Sequence, residues 1–191
     1  MRIHSVARES IVDGPGMRYV VFMQGCPHGC PGCHNPQTHD PGGGFEIGPH
    51  ELIAEFEREL SENPLLDGVT ISGGEPLLQA RDLMPFVASV GAMGLGVWLY
   101  TGYRIEEIAG RGDPDELSLV SAVDVLVDGR FELERRTLES RFVGSTNQRI
   151  IERPELYIHT IRNFDDNRTM IITDRETEDN FRSRTIPEVM R

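Results

Sequence analysis

The chain has 191 residues, 38% apolar and 26% charged, which is the composition of one globular domain and not of a disordered or fibrous chain. Nineteen basic residues against 31 acids leave a net charge of −12, which argues against a nucleic-acid backbone as partner; all 19 are arginine, so lysine Schiff-base chemistry and the Gly-Lys-Ser/Thr phosphate loop are excluded. No apolar run approaches the roughly 18 residues of a membrane span, and a start containing Arg2, His4, Arg8 and Glu9 is not a signal peptide, so a cytoplasmic protein with no membrane partner is expected.

In chain order, Ile11 to Gly16 is a turn-rich lead-in, and Met17 to Gln24 is an apolar, β-branched and aromatic run that reads as a buried strand. That strand delivers the chain into a Gly- and Pro-rich loop holding all three cysteines, Cys26, Cys30 and Cys33. Pro41 to Gly44 is a flexible link. Pro49 opens a helix at its favoured first position, with Leu52, Ile53, Phe56 and Leu60 on one face. Gly68 to Ser72 is a short strand ending in Gly73-Gly74-Glu75-Pro76, and Gln79 to Val90 is a helix that Pro85 can bend.

Leu95 to Tyr100 is the next strand, entering Thr101-Gly102-Tyr103; helical turns follow between Ile105 and Val120, and Val123 to Asp128 is a strand broken by Gly129. Strands alternating with helices predict parallel βαβ units in an α/β fold. In such sheets a ligand lies at the carboxyl ends of the strands, which gathers the cysteine loop, residues 73–76, residues 101–103 and Asp128-Gly129 around one mouth. The strands are too few for an eight-fold barrel, so a partial, open β/α barrel is expected. A domain over 1–152 followed by a loosely packed C-terminal extension over 153–191 completes the reading, because the polar stretches 163–168 and 174–184 are weakly periodic.

The cysteines carry the chemistry. A reducing compartment makes three thiols in eight residues metal ligands more readily than a disulfide framework. A cubane of four irons held by three thiolates keeps one iron open. The alternatives are a zinc site completed by His28, His34 or His39, and three unrelated buried thiols.

The spacing Cys-x3-Cys-x2-Cys resembles that of radical S-adenosylmethionine (SAM) enzymes. More closely, six segments in order resemble the activating proteins of anaerobic ribonucleoside-triphosphate reductases: Asp13 to Arg18, Gln24 to Pro36, Ser72 to Pro76, Leu99 to Tyr103, Asp124 to Phe131 and Gly144 to Arg149. The resemblance covers roughly residues 1–152. The chain departs from the family pattern at His39, where an aromatic is expected, and at Val143, where an arginine is common.

The resemblance implies a partial barrel of the radical SAM type and two cofactors. Cys26, Cys30 and Cys33 would hold a [4Fe–4S] cluster whose fourth iron is chelated by SAM. One electron would cleave SAM to a 5′-deoxyadenosyl radical, which takes hydrogen from a glycine Cα of the reductase. Gly73 and Gly74 would let the backbone approach SAM, Glu75 would bind SAM or nearby backbone, and Gly32, Cys33 and His34 would line the adenine. Thr101 and Asp128 would hold SAM by polar contacts. Asn147-Gln148-Arg149 would offer donors to a peptide or carboxylate. Six arginines against four acids between Arg130 and Arg153 would meet an acidic electron donor such as flavodoxin. Other functions to weigh are a small radical SAM enzyme such as 7-carboxy-7-deazaguanine synthase, and a non-catalytic metal-binding or electron-transfer module.

Overall fold

The computed structural model describes residues 1–163. In chain order these form β1 (Arg2–Ser10), β2 (Met17–Met23), β3 (Phe45–Glu46), α1 (Pro49–Glu62), β4 (Leu66–Gly73), α2 (Ala80–Ala92) and β5 (Gly96–Thr101). There follow α3 (Ile105–Arg111), α4 (Pro114–Ser121), β6 (Val125–Asp128), β7 (Arg149–Glu152) and α5 (Pro154–Asn163). The strands make one open sheet in the order β3, β1, β2, β4, β5, β6, β7.

β2, β4, β5 and β6 pair in parallel, with Met23 opposite Gly73 and Thr101 opposite Asp128, so their carboxyl ends share one edge. These are the four apolar runs that the sequence marks as strands, and burial on both faces is why they are continuously apolar. Tyr19, Val21 and Met23 join Val69, Ile71, Leu99 and Leu126 on the face covered by helices. The aromatic row Tyr19, Phe56 and Phe86, with centroids 5.1 and 5.9 Å apart in edge-on contacts, ties β2 to α1 and α2. Each such contact is worth about 0.5–1.5 kcal/mol beyond its burial. Pro85 sits inside α2, at the loss of a backbone bond to residue 81.

Among the described residues the opposite face has no helix. Alternation along the strands puts Arg18, Thr70, Trp98, Val125 and Val127 there. Trp98, Val125 and Val127 pack with Tyr100, Phe142 and Val143, and the Tyr100 hydroxyl donates to the Phe142 carbonyl at 2.9 Å. Arg18, 3% exposed, donates to Thr70 Oγ1 and to the carbonyls of Val69 and Gly96, bridging three strands near their amino ends. Burial pulls its guanidinium down to about 10.

The sheet is mixed, where the sequence predicts parallel units only. β1 and β7 run antiparallel at either side of the parallel core, and β3 adds to β1. β1 escaped the sequence pattern because register shifts between Ile3 and Ser5 and between Ala7 and Ser10 break its alternation. At the other end, α5 lies within the segment read as an extension, yet Ile158 is 5% exposed in the main core and the helix packs on α3 and α4. The polar stretch 174–184, and 163–168 beyond Asn163, lie outside the described residues.

Candidate metal centre and ligand cleft

The cysteine loop is shaped by its own backbone. Gly25 N donates to Thr38 O at 2.8 Å, Cys26 N to His39 O at 3.2 Å and Cys33 N to Cys30 O at 3.1 Å. The Gln24 amide nitrogen braces the return by donating to the carbonyls of Gln37 and Asp40. All three thiols are half-buried and line one cleft of about 830 Å³. Burial pushes the thiols of Cys26 and Cys30 up, so neither is a ready nucleophile and both need a cation to ionise. The Cys33 sulfur accepts from Asn35 N at 3.4 Å.

Of the other candidates, Cys33, His34, Gly73, Gly74 and Thr101 line the same cleft. Gly32, Glu75 and Asp128 do not. Gly32 sits against Leu133, and His34 lies 5.0 Å from the Phe131 ring. Glu75 is fully buried, with Oε1 accepting from Leu77 N and Thr101 Oγ1 and Oε2 accepting from Gly102 N and His28 Nε2. The Thr101 hydroxyl is accordingly occupied: it donates to Glu75 and accepts from Tyr103 N at 3.1 Å.

Asp128 is turned away from the place expected of it. Its carboxylate receives a two-pronged Arg149 guanidinium, at 2.9 and 2.5 Å, and the Ile105 N–H at the start of α3, at 2.8 Å. Arg149 also reaches Glu106 at 2.9 and 2.7 Å, and this contact holds the Glu106 carboxyl down at about 2. Asn147 and Gln148 likewise serve the protein itself: Asn147 Nδ2 donates to Arg130 O, and Gln148 Nε2 donates to Gly129 O while its oxygen accepts from Gly144 N.

Arg130, which belongs both to the segment Asp124 to Phe131 and to the charged run, and Arg141, which belongs to that run alone, line the cleft with Asp13. So do Ile11, Val12 and Leu138, exposed at 74%, 74% and 88%. Position in the Asp-Gly-Arg-Phe motif after β6 was the signal available for Arg130; nothing in the sequence marks Leu138.

The donor set fits an iron–sulfur cluster. Zinc would need its ligands gathered at about 2.0–2.3 Å around one ion. Among the described residues no three His, Cys, Asp or Glu side chains gather in that way, and His28 is already engaged by Glu75. A cubane takes each thiolate on a different iron and needs no such convergence. His39 lines the cleft with a buried Nε2 that has no partner among the described residues. Such an orphan costs about 1–3 kcal/mol unless something bound in the cleft satisfies it.

Gly74 is the tightest point of the cleft wall. A Cβ there would stand 2.3 Å from the Gly25 carbonyl oxygen and 3.0 Å from its carbon, both backbone atoms. Gly74→Ala is expected to cost about 1–3 kcal/mol as overpacking that only a backbone shift relieves. Denaturant unfolding checks this, and a variant as stable as the parent would show slack in the turn.

The profile of a family described as a 4Fe-4S single cluster domain matches residues 12–151. The anaerobic ribonucleoside-triphosphate reductase-activating protein of Salmonella typhi is 32% identical over 153 residues, 78% of this chain and 96% of that protein. Its counterpart in Haemophilus influenzae is 32% identical over 156 residues, 76% of this chain and 94% of that protein. The pyruvate formate-lyase-activating enzyme of Listeria monocytogenes is 43% identical over 98 residues, 49% of this chain and 38% of that enzyme.

Proposed function

The chain belongs to the anaerobic ribonucleoside-triphosphate reductase-activating proteins, within the 4Fe-4S single cluster domain family, and from that membership we propose that it installs a glycyl radical on an anaerobic ribonucleoside-triphosphate reductase. It is a radical SAM activase whose cofactors are a [4Fe–4S] cluster and SAM. The observation that carries the reading is that all six of the motif segments, spread from Asp13 to Gln148, line the cleft that holds all three cysteines.

When bound, the cluster supplies the single electron for reductive cleavage of SAM. Cys26, Cys30 and Cys33 would hold it by three thiolates, leaving one iron for SAM. Gly73 and Gly74 would border the methionine end. Their turn is sewn to the end of β2 and the start of the cysteine loop, with Gly74 N donating to Met23 O and Glu75 N to Gly25 O, each at 2.8 Å; with these N–H groups spent, a ligand amine, itself a donor, would be met by carbonyls. Cys33 and His34 would flank the adenine, with Gly32 behind them. Arg130 and Arg141 supply positive charge to a cleft in an acidic chain, suited to a ligand carboxylate and to an acidic reductant of the flavodoxin kind. No helix among the described residues is long and apolar enough to cross a membrane, and a reducing cytoplasm would suit the thiols.

The test is anaerobic reconstitution with iron and sulfide, then mixing with SAM, dithionite and the reductase. About four irons per chain are expected, with a glycyl doublet on the reductase in electron paramagnetic resonance (EPR). One tightly held zinc without labile sulfide would end the cluster reading. A SAM-dependent product from a small molecule, with no radical on the reductase, would favour a different radical SAM activity.

A further inference from the structure

His28 lies between two of the cysteines, and its ring is one of the best-fixed side chains near the cleft. Its Nε2 donates to Glu75 Oε2 at 2.8 Å, with the two side chains 5% and 0% exposed. The Tyr103 ring meets it edge-on at 4.5 Å. Tyr103 is backed in turn by the Arg111 guanidinium, 3.9 Å from its centroid, and Glu116 holds that arginine. On the remaining side stands Gly102, where any Cβ would come within 2.4 Å of the imidazole. The room for the ring is made by a residue with no side chain.

Glu75 is tied to the cysteine loop twice. Its backbone N–H bonds Gly25 O, one residue before Cys26; its side chain takes His28, two residues after. Cys26 therefore hangs between two pins set in the same residue. That residue directly follows Gly73 and Gly74 in the cleft wall. Its remaining bonds, from Leu77 N, Thr101 Oγ1 and Gly102 N, tie it to the start of the segment leading into α2 and to the end of β5. With four donors on two oxygens, Glu75 has a fully compensated buried charge and is fixed in one orientation.

We propose that His28 is a positioning residue: its bond to Glu75 sets the distance between the cysteine loop and the Gly73-Gly74 turn, and so aligns the cluster with SAM. This rests on the radical SAM reading above. The three thiolates alone can hold a cluster, but they cannot say where its open coordination site faces relative to the turn that borders SAM. A ligand whose methionine end would both chelate that site and rest on the turn senses the separation of the two, which is the usual way an outer partner tunes a metal centre. Because Nε2 is spent on Glu75, His28 acts through the loop that carries it.

The experiment compares the parent with His28→Ala and His28→Gln, the latter placing an amide N–H near the position of Nε2. Both variants should load iron and sulfide, since the cysteines are intact. In His28→Ala the SAM dissociation constant should rise by about tenfold or more, and the change that SAM makes in the EPR spectrum of the reduced cluster should shrink. His28→Gln should recover most of both. Unchanged SAM affinity and an unchanged spectrum in His28→Ala would overturn the proposal. So would a His28→Gln variant as impaired as His28→Ala, since the hydrogen bond would then not be the cause. Hydrogen exchange on the cluster-free proteins separates this from the functional reading. Residues 25–33 should exchange faster in His28→Ala and return toward parental rates in His28→Gln; equal rates in all three overturn the pin whatever the cluster does.

Discussion

Cys30→Ala is expected to abolish stable cluster assembly and SAM cleavage together. The chain has three cysteines and no fourth anywhere in its 191 residues, so the lost thiolate has no like replacement. Nor are the two histidines within the cysteine segment placed to step in: His28 is held by Glu75, and His34 lies against Phe131. Imidazole is also a harder ligand than the thiolates that suit iron–sulfur clusters. Iron retained after desalting should fall from about four per chain to near zero, and release of 5′-deoxyadenosine should fall to background. A Cys30→Ala protein that releases 5′-deoxyadenosine at the parental rate would show that the three-thiolate assignment is wrong. His39, with its unpartnered Nε2, gives the control. If Cys30→Ala retains some iron and Cys30→Ala/His39→Phe retains none, the imidazole has been recruited.

The second large effect belongs to stability. Arg149→Met strips a fully buried carboxylate, Asp128, of both prongs of its guanidinium and leaves it, among the described residues, only the Ile105 N–H. Breaking a buried pair by removing one partner typically costs 3–5 kcal/mol; about 3 kcal/mol is expected here, at the low end, because Arg149 is itself 33% exposed. The effect also has a pH signature through Glu106. In the parent, Arg149 depresses the Glu106 carboxyl from 4.5 to about 2. A folded-state value below the unfolded one gives stability that is fully present above pH 4.5 and is lost as pH falls toward 2. Without Arg149 that contribution disappears, so the gap between parent and variant should be widest above pH 4.5 and narrow on acidification. Chemical denaturation across that range measures it, and a gap that widens toward pH 2 would contradict the assigned cause.

Asp128 also shows where sequence reasoning reaches its limit. The apolar runs at 17–24, 68–72, 95–100 and 123–128 announce strands because a doubly buried strand can be little else, the observed strands differing by one or two residues at their ends, and the cysteine spacing announces a metal loop. That a carboxylate ends β6 is equally plain. Which way it points is not, since the choice depends on Arg149, 21 residues downstream, and on the first turn of α3. Glu75 poses the same problem over longer range, with its partner His28 47 residues away and a glycine at 102 making room for the ring. β1 was hidden for a local reason: two irregularities in register erase the alternation that marks a half-buried strand. Pattern reveals elements and the edge at which their ends meet. The direction of a polar side chain at that edge is decided by partners that no spacing encodes.

Arg18, spanning three strands on the face opposite the helices, has a consequence for cooperativity. Its bonds to Thr70 and to the carbonyls of Val69 and Gly96 join β2, β4 and β5 near their amino ends, so parting any one of these strands from its neighbour strips a buried guanidinium of acceptors. The strands that carry the cysteine loop, the Gly73-Gly74 turn and Thr101 are therefore expected to open as one unit rather than one by one.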